Sequence, residues 1–129
     1  MSGLPEEWLR LAFEDFKVAG LLFKESIWSH VCFHAQQAAE KGLKALIETK
    51  EEVPKIHDLL ELTSEAEKHG FDLKKFQTYF EYLNQFYTST RYPFLTAVLP
   101  HGVPGRKEAK QALEGLEDFL EFVQENIKS

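Results

Sequence analysis

One stretch constrains this chain more than any other: residues 26–50, SIWSHVCFHAQQAAEKGLKALIETK. Wound as a helix at ~100° per residue, it gathers Trp28, Val31, Cys32, Ala35, Ala38, Ala39, Gly42, Leu43 and Leu46 on one stripe. Most of these side chains are small, so a neighbouring helix can come close. A helix that only covered a core would more often carry Leu and Ile there. Nearly opposite, His30, His34, Gln37, Lys41 and Lys44 recur four and three residues apart. The pattern predicts a close-packing seam on one face. It puts polar contacts on the other, at the outer surface or against a second chain.

The remaining segments read as helices around that one. Pro5 suits a first helical turn, and Glu6 and Glu7 favour the positive end of the helix dipole, so a first helix is expected from about Pro5 to Glu25. Its apolar stripe is Trp8, Leu11, Ala12, Phe16, Ala19, Leu22 and Phe23, with Asp15 near the middle. Ser26 is expected to cap the central helix, and the short connection makes helices 1 and 2 an antiparallel hairpin. Val53-Pro54 ends the second helix. Asp58 caps a short third one through Leu59, Leu60, Leu62 and Ala66, and Gly70 stops it.

Asp72 is placed to cap a fourth helix, Leu73 to Thr90, whose arc of Phe76, Tyr79, Phe80, Tyr82, Leu83, Phe86 and Tyr87 is broader than one contact needs. Contacts on two sides follow, with two helices of the same chain or with a second chain. Such a stripe is more often core than a base-stacking platform. Residues 94–105, punctuated by Pro and Gly, read as a loop, and Arg106 to Ile127 as a last helix. No segment alternates with the period of a strand. The expected architecture is all-α, an up-and-down four-helix bundle with a fifth, shorter helix, forming one domain over residues 1–129.

Composition removes several function classes. A formal charge of −6 argues against broad binding to a phosphate backbone, which depends on a basic surface. One cysteine excludes an intramolecular disulfide and a multi-cysteine zinc site, and Cys32 reads as a buried small hydrophobe. There is no glycine-rich phosphate loop, HExxH pair or EF-hand spacing. His30 and His34 stand one turn apart, but no third ligand is evident, so neither metal nor cofactor is expected. No apolar run approaches ~20 residues, and the expectation is a soluble, cytoplasmic protein with no membrane role.

The groups left without a local explanation are Asp15 on an apolar line, Arg91 at an aromatic helix end, and Lys41 and Lys44 in the central helix. Asp15 either reaches water at the stripe's edge or meets a cation. Arg91 is the preferred partner, since a guanidinium can satisfy a partly buried carboxylate bidentately. His57 is placed either to make a structural hydrogen bond or to face a ligand.

Ala35-Gln36-Gln37-Ala38-Ala39-Glu40-Lys41-Gly42-Leu43-Lys44-Ala45-Leu46, preceded by a helix carrying Asp15 and followed by His57-Asp58-Leu59 and Arg91-Tyr92-Pro93, resembles the HEPN domain, the higher eukaryotes and prokaryotes nucleotide-binding domain. The resemblance spans nearly the whole chain. It implies a helical bundle, often a homodimer, paired with a minimal nucleotidyltransferase protein in toxin–antitoxin-like modules. It also implies a nucleotide or nucleotide-bearing ligand. Lys41, Lys44 and Arg91 would meet phosphate, Asp15 would orient Arg91, and His57 or Gln37 would contact base or sugar.

Many HEPN proteins are metal-independent ribonucleases with an Arg-x4–6-His motif. Here nine residues separate Arg91 from His101, with Pro93 and Pro100 between them. The reading therefore leans away from an enzyme. A divergent ribonuclease acting on RNA through Arg91 and His101 is the alternative, and a non-catalytic module that docks a partner through the aromatic helix is the third.

Overall fold

A computed structural model describes residues 3–86 and 103–128, and five α-helices with one 3-10 turn make up the described fold. Helix α1 is Leu4–Lys24, with Pro5 in its first turn. The Glu6 side chain turns back to accept the Gly3 N–H at 2.8 Å, satisfying one of the donors a helix start leaves open. Helix α2 is Trp28–Glu48.

The turn between them departs from the expectation for Ser26. Ser26 does not cap α2; it adopts φ 61°, left-handed, just past the end of α1. Ile27 N–H bonds to Leu22 O at 3.0 Å and Ser26 N–H to Phe23 O at 3.1 Å, the paired bonds that close a helix C-terminus around a left-handed residue. The serine is thus spent on ending α1. Ile27 precedes α2 with no side-chain cap, and an edge-on contact of Phe23 with Trp28 at 5.1 Å holds the corner.

Helix α3, Leu59–Lys68, begins as expected. The Asp58 carboxylate accepts from the Leu60 and Glu61 N–H groups, and Gly70, at φ 96°, follows its C-terminus. Asn84 adds a tie from the next helix: its Oδ1 accepts the Leu59 N–H at 2.9 Å and its Nδ2 donates to Asp58 at 3.0 Å. The fourth segment starts more tightly than expected. Asp72 accepts the Lys74 N–H, Lys74–Phe76 forms a 3-10 turn, and regular α4 covers Gln77–Asn84; residues 87–90 of the expected helix lie outside the described residues. Helix α5 is Arg106–Ile127, as its periodicity predicts.

Among the described residues, the aromatic arc of the fourth segment packs against other helices of the same chain. Phe80 meets Phe119 of α5 edge-on at 4.9 Å, and the Tyr79 and Tyr82 hydroxyls donate to the Ala112 and Glu108 carbonyls of α5. Burial pushes both phenols well above their ordinary value, so both stay protonated as donors. On its other side α4 packs against α3.

Helix α2 is the axis of this arrangement, touching α1, α3, α4 and α5. Its small-residue stripe is the seam: Val31, Cys32, Ala35, Ala38, Ala39, Gly42, Leu43 and Leu46 are buried. At Gly42 the approach of α5 is so close that a Cβ would stand 2.7 Å from the Phe119 ring. Gln36, Glu40, Lys44, Ala45 and Ile47 are buried as well, so the division into a seam and an outer polar face does not hold. Packing on several sides takes part of the polar stripe inside.

Candidate functional site

Two polar groupings lie along α2. The first answers the question posed by Asp15. Its side chain is 15% exposed, and Lys41 Nζ donates to Oδ2 at 2.5 Å while His34 Nδ1 stands 3.4 Å from Oδ1. Asp15 therefore meets a cation from the facing helix. Its preferred partner, Arg91, lies outside the described residues, as does His101. Two turns along the same hairpin, Trp8 Nε1 donates to Glu48 Oε1 at 3.1 Å. Asp15–Lys41 and Trp8–Glu48 thus fix the α1/α2 register at two points, and an antiparallel slip would break both.

The second grouping is deeper. Gln36, Glu40 and Lys44 follow one another at four-residue spacing, and all three are buried. Glu40 Oε2 accepts from Lys44 Nζ at 2.8 Å and from His57 Nδ1 at 2.9 Å. The Lys44 ammonium also lies 5.3 Å from the Trp8 ring centre, where the ring face favours a cation. Lys44 was expected at the outer surface or against a second chain; instead its side chain is 9% exposed within the fold, beside a Glu40 side chain at 7%. Paired this way, two charges can leave water together, whereas either alone would be expensive to bury.

His57 stands at the mouth of the row, its own side chain 56% exposed. Gln37 does not reach Lys41; its Nε2 donates to the Gln36 Oε1 at 2.7 Å. Two atoms in the row are buried without a hydrogen-bond partner among the described residues: the donor Gln36 Nε2 and the acceptor Glu40 Oε1.

Five of the six expected ligand-contacting residues therefore gather on or beside α2: Asp15, Gln37, Lys41, Lys44 and His57. Sequence reasoning singled out neither Gln36 nor Glu40 as a site residue. The four-residue spacing was a visible signal for the pair, but burial was not, because neighbouring elements impose it. His30 is exposed, and among the described residues it does not join His34 in any cluster able to hold a metal.

With this geometry in view, comparison with known proteins decides the family. The HEPN domain family model matches residues 5–127. The chain belongs to the HEPN domain family. Among solved structures, TT1696 from Thermus thermophilus is 28% identical, with a TM-score of 0.84 over 98% of this chain and 100% of that one. The archaeal HEPN homologue ST0689, at 24% identity and a TM-score of 0.76 over 98% and 100%, shares the fold. No curated protein matches this HEPN chain. No helix among the described residues is long and apolar enough to cross a membrane.

Proposed function

We propose that this HEPN protein binds a nucleotide or nucleotide-bearing ligand at the α2 polar row, as the binding member of a toxin–antitoxin-like pair with a minimal nucleotidyltransferase. The observation that carries the reading is the buried row itself. A donor on Gln36 and an acceptor on Glu40, one helical turn apart, both lack partners among the described residues. A nucleobase edge presents the complementary acceptor and donor side by side. His57 at the mouth is suited to the sugar or base, and Lys41, 28% exposed, is the cation of this group best placed for phosphate. Lys44 is already committed to Glu40 and Trp8, so its part is to hold Glu40 in place.

Calorimetric titration with ATP and other nucleotides tests this. Binding in the wild type that is weakened at least tenfold by Lys41→Glu and by Gln36→Leu supports the reading; no heat at millimolar nucleotide overturns it. Homodimerisation belongs to the same reading and is checked by sedimentation. The nucleotidyltransferase pairing is checked by whether a minimal nucleotidyltransferase gene adjoins this one and its product co-purifies.

A further inference from the structure

A third cluster lies away from the polar row, where α2 gives way to α3. Glu51 sits in the connection just past the end of α2, while Glu65 and His69 stand one turn apart at the C-terminal end of α3. One ligand atom from each, two carboxylate oxygens and an imidazole nitrogen, falls within 4.8 Å of the others. His69 Nε2 already touches Glu51 Oε2. Two carboxylates thus converge on one imidazole. The neighbouring cation, Lys68, reaches Glu65 at 3.3 Å from a side chain that is 70% exposed, so it is readily displaced.

We propose that Glu51, Glu65 and His69 form a binding site for a divalent transition metal, with Zn2+ as the best-matched ion. Mixed imidazole and carboxylate donors suit zinc, and three protein ligands leave a fourth position for water. Tetrahedral ligands at ~2.0–2.2 Å from the ion stand roughly 3.4 Å from one another. The three donors are within about 1.5 Å of that spacing, a gap that side-chain rotation closes without moving either helix. All three side chains are partly exposed, so the ion has a way in. The i, i+4 placement of Glu65 and His69 supplies two ligands from one rigid face, and Glu51 supplies the third from another element. Binding would therefore clip the end of α2 to the end of α3 and brace the 49–58 connection that carries His57. The proposal does not depend on the nucleotide reading.

The test uses untagged full-length protein stripped with chelator, then titrated with ZnCl2 by calorimetry and followed by thermal unfolding. One equivalent should bind, and Tm should rise by about 8–14 °C at a hundredfold excess over Kd. His69→Ala and Glu51→Gln should each weaken binding at least tenfold and cut the Tm shift at the same zinc concentration to about half or less, and the exposed His30→Ala should change neither. Glu65→Gln, checked for native circular dichroism, repeats the test if His69→Ala fails to fold. Cobalt bound in place of zinc should give the visible bands of a tetrahedral site in the wild type alone. No binding at 100 µM zinc overturns the proposal, as does one equivalent bound equally well by Glu51→Gln and Glu65→Gln.

Discussion

The close approach of α5 to α2 at Gly42 makes a sharp prediction, because the same change elsewhere carries the opposite sign. Replacing a helix-interior Gly with Ala gains about 0.8–1.0 kcal/mol in helix propensity. At Gly42 the new Cβ would sit 2.7 Å from Phe119 Cε2 and 3.2 Å from Leu120 Cδ2, where ordinary carbon contacts are about 3.5–4.0 Å. Phe119 cannot retreat easily. It is fully buried and wedged edge-on against Phe76 at 5.2 Å and Phe80 at 4.9 Å. Overpacking of this kind costs about 1–3 kcal/mol, so Gly42→Ala should be destabilising by about 1 kcal/mol net. Gly20, inside α1, has nothing within 4 Å of where a Cβ would stand, so Gly20→Ala should gain up to about 1 kcal/mol. Propensity cancels between the two variants, and their difference isolates the clash at about 1–3 kcal/mol. In thermal terms, each kcal/mol is worth about 3–5 °C in Tm for a chain of this length. Urea unfolding followed by the fluorescence of Trp8 and Trp28 measures both. If Gly42→Ala is as stable as Gly20→Ala, the small-residue seam is not the contact described above.

Three further outcomes follow from the same geometry. Lys44→Met strands the buried Glu40 carboxylate with His57 and should cost about 3–5 kcal/mol, while adding Glu40→Leu should recover most of it; denaturant unfolding of both variants decides. Asp58→Ala removes the α3 cap and the Asn84 tie, at a cost of about 1–2 kcal/mol. Burial pushes the Asp58 carboxyl up, but the hydrogen bonds from Asn84, Glu61 and Leu60 outweigh it and leave it below its ordinary value. A depressed folded-state value means that this contribution is fully present above the unfolded value of about 3.9 and is lost as pH falls through the folded one. The stability gap between wild type and Asp58→Ala should therefore be flat from about pH 8 to 5 and narrow below about pH 4. Cys32, its thiol pushed up to about 12 chiefly by burial with the Glu108 carboxylate adding, should resist a disulfide reagent at pH 8 until the protein opens; immediate labelling would contradict its place in the seam.

What the sequence made legible was whatever is decided within a few residues. Pro5, Asp58, Gly70 and the start of α5 at Arg106 all carry their signals locally, and the structure agrees with each. Ser26 shows the limit of that rule. A serine before a helix is a good cap by composition, but here the preceding helix also had to end, and that claim on the residue prevailed. The tight 3-10 start of the fourth segment was likewise invisible, since it depends on how Phe76 reaches Phe119 and Phe122. At the site, sequence left Asp15 either to reach water or to meet a cation and preferred Arg91, which lies outside the described residues; the Lys41 contact is what the structure adds. The reason is geometric: the hairpin register that sets Asp15 against Lys41 emerges only when two stripes pack. Burial of Gln36, Glu40 and Lys44 is decided by the helices around α2, so no period within α2 could reveal it.

The two polar groupings on α2 differ in what they can contribute, and that difference bears on the proposed function. A buried ion pair is weak evidence for stability, because well-packed apolar residues of similar volume often do as well or better. Glu40–Lys44 is such a pair, and the row around it holds two buried atoms without a partner among the described residues, which an apolar row would not have. Stability alone therefore gives no reason for the row. Asp15–Lys41, more open to water, loses less on desolvation and can exchange partners with a ligand. The pairs should then separate experimentally. Changes at Lys44 should appear first in unfolding free energy, with binding lost only as Glu40 shifts. A neutral change at Lys41, such as Lys41→Gln, should cost less stability than a change at Lys44 and appear first in nucleotide affinity. Variants of both lysines that moved stability and affinity in parallel would mean that the row is structural from end to end.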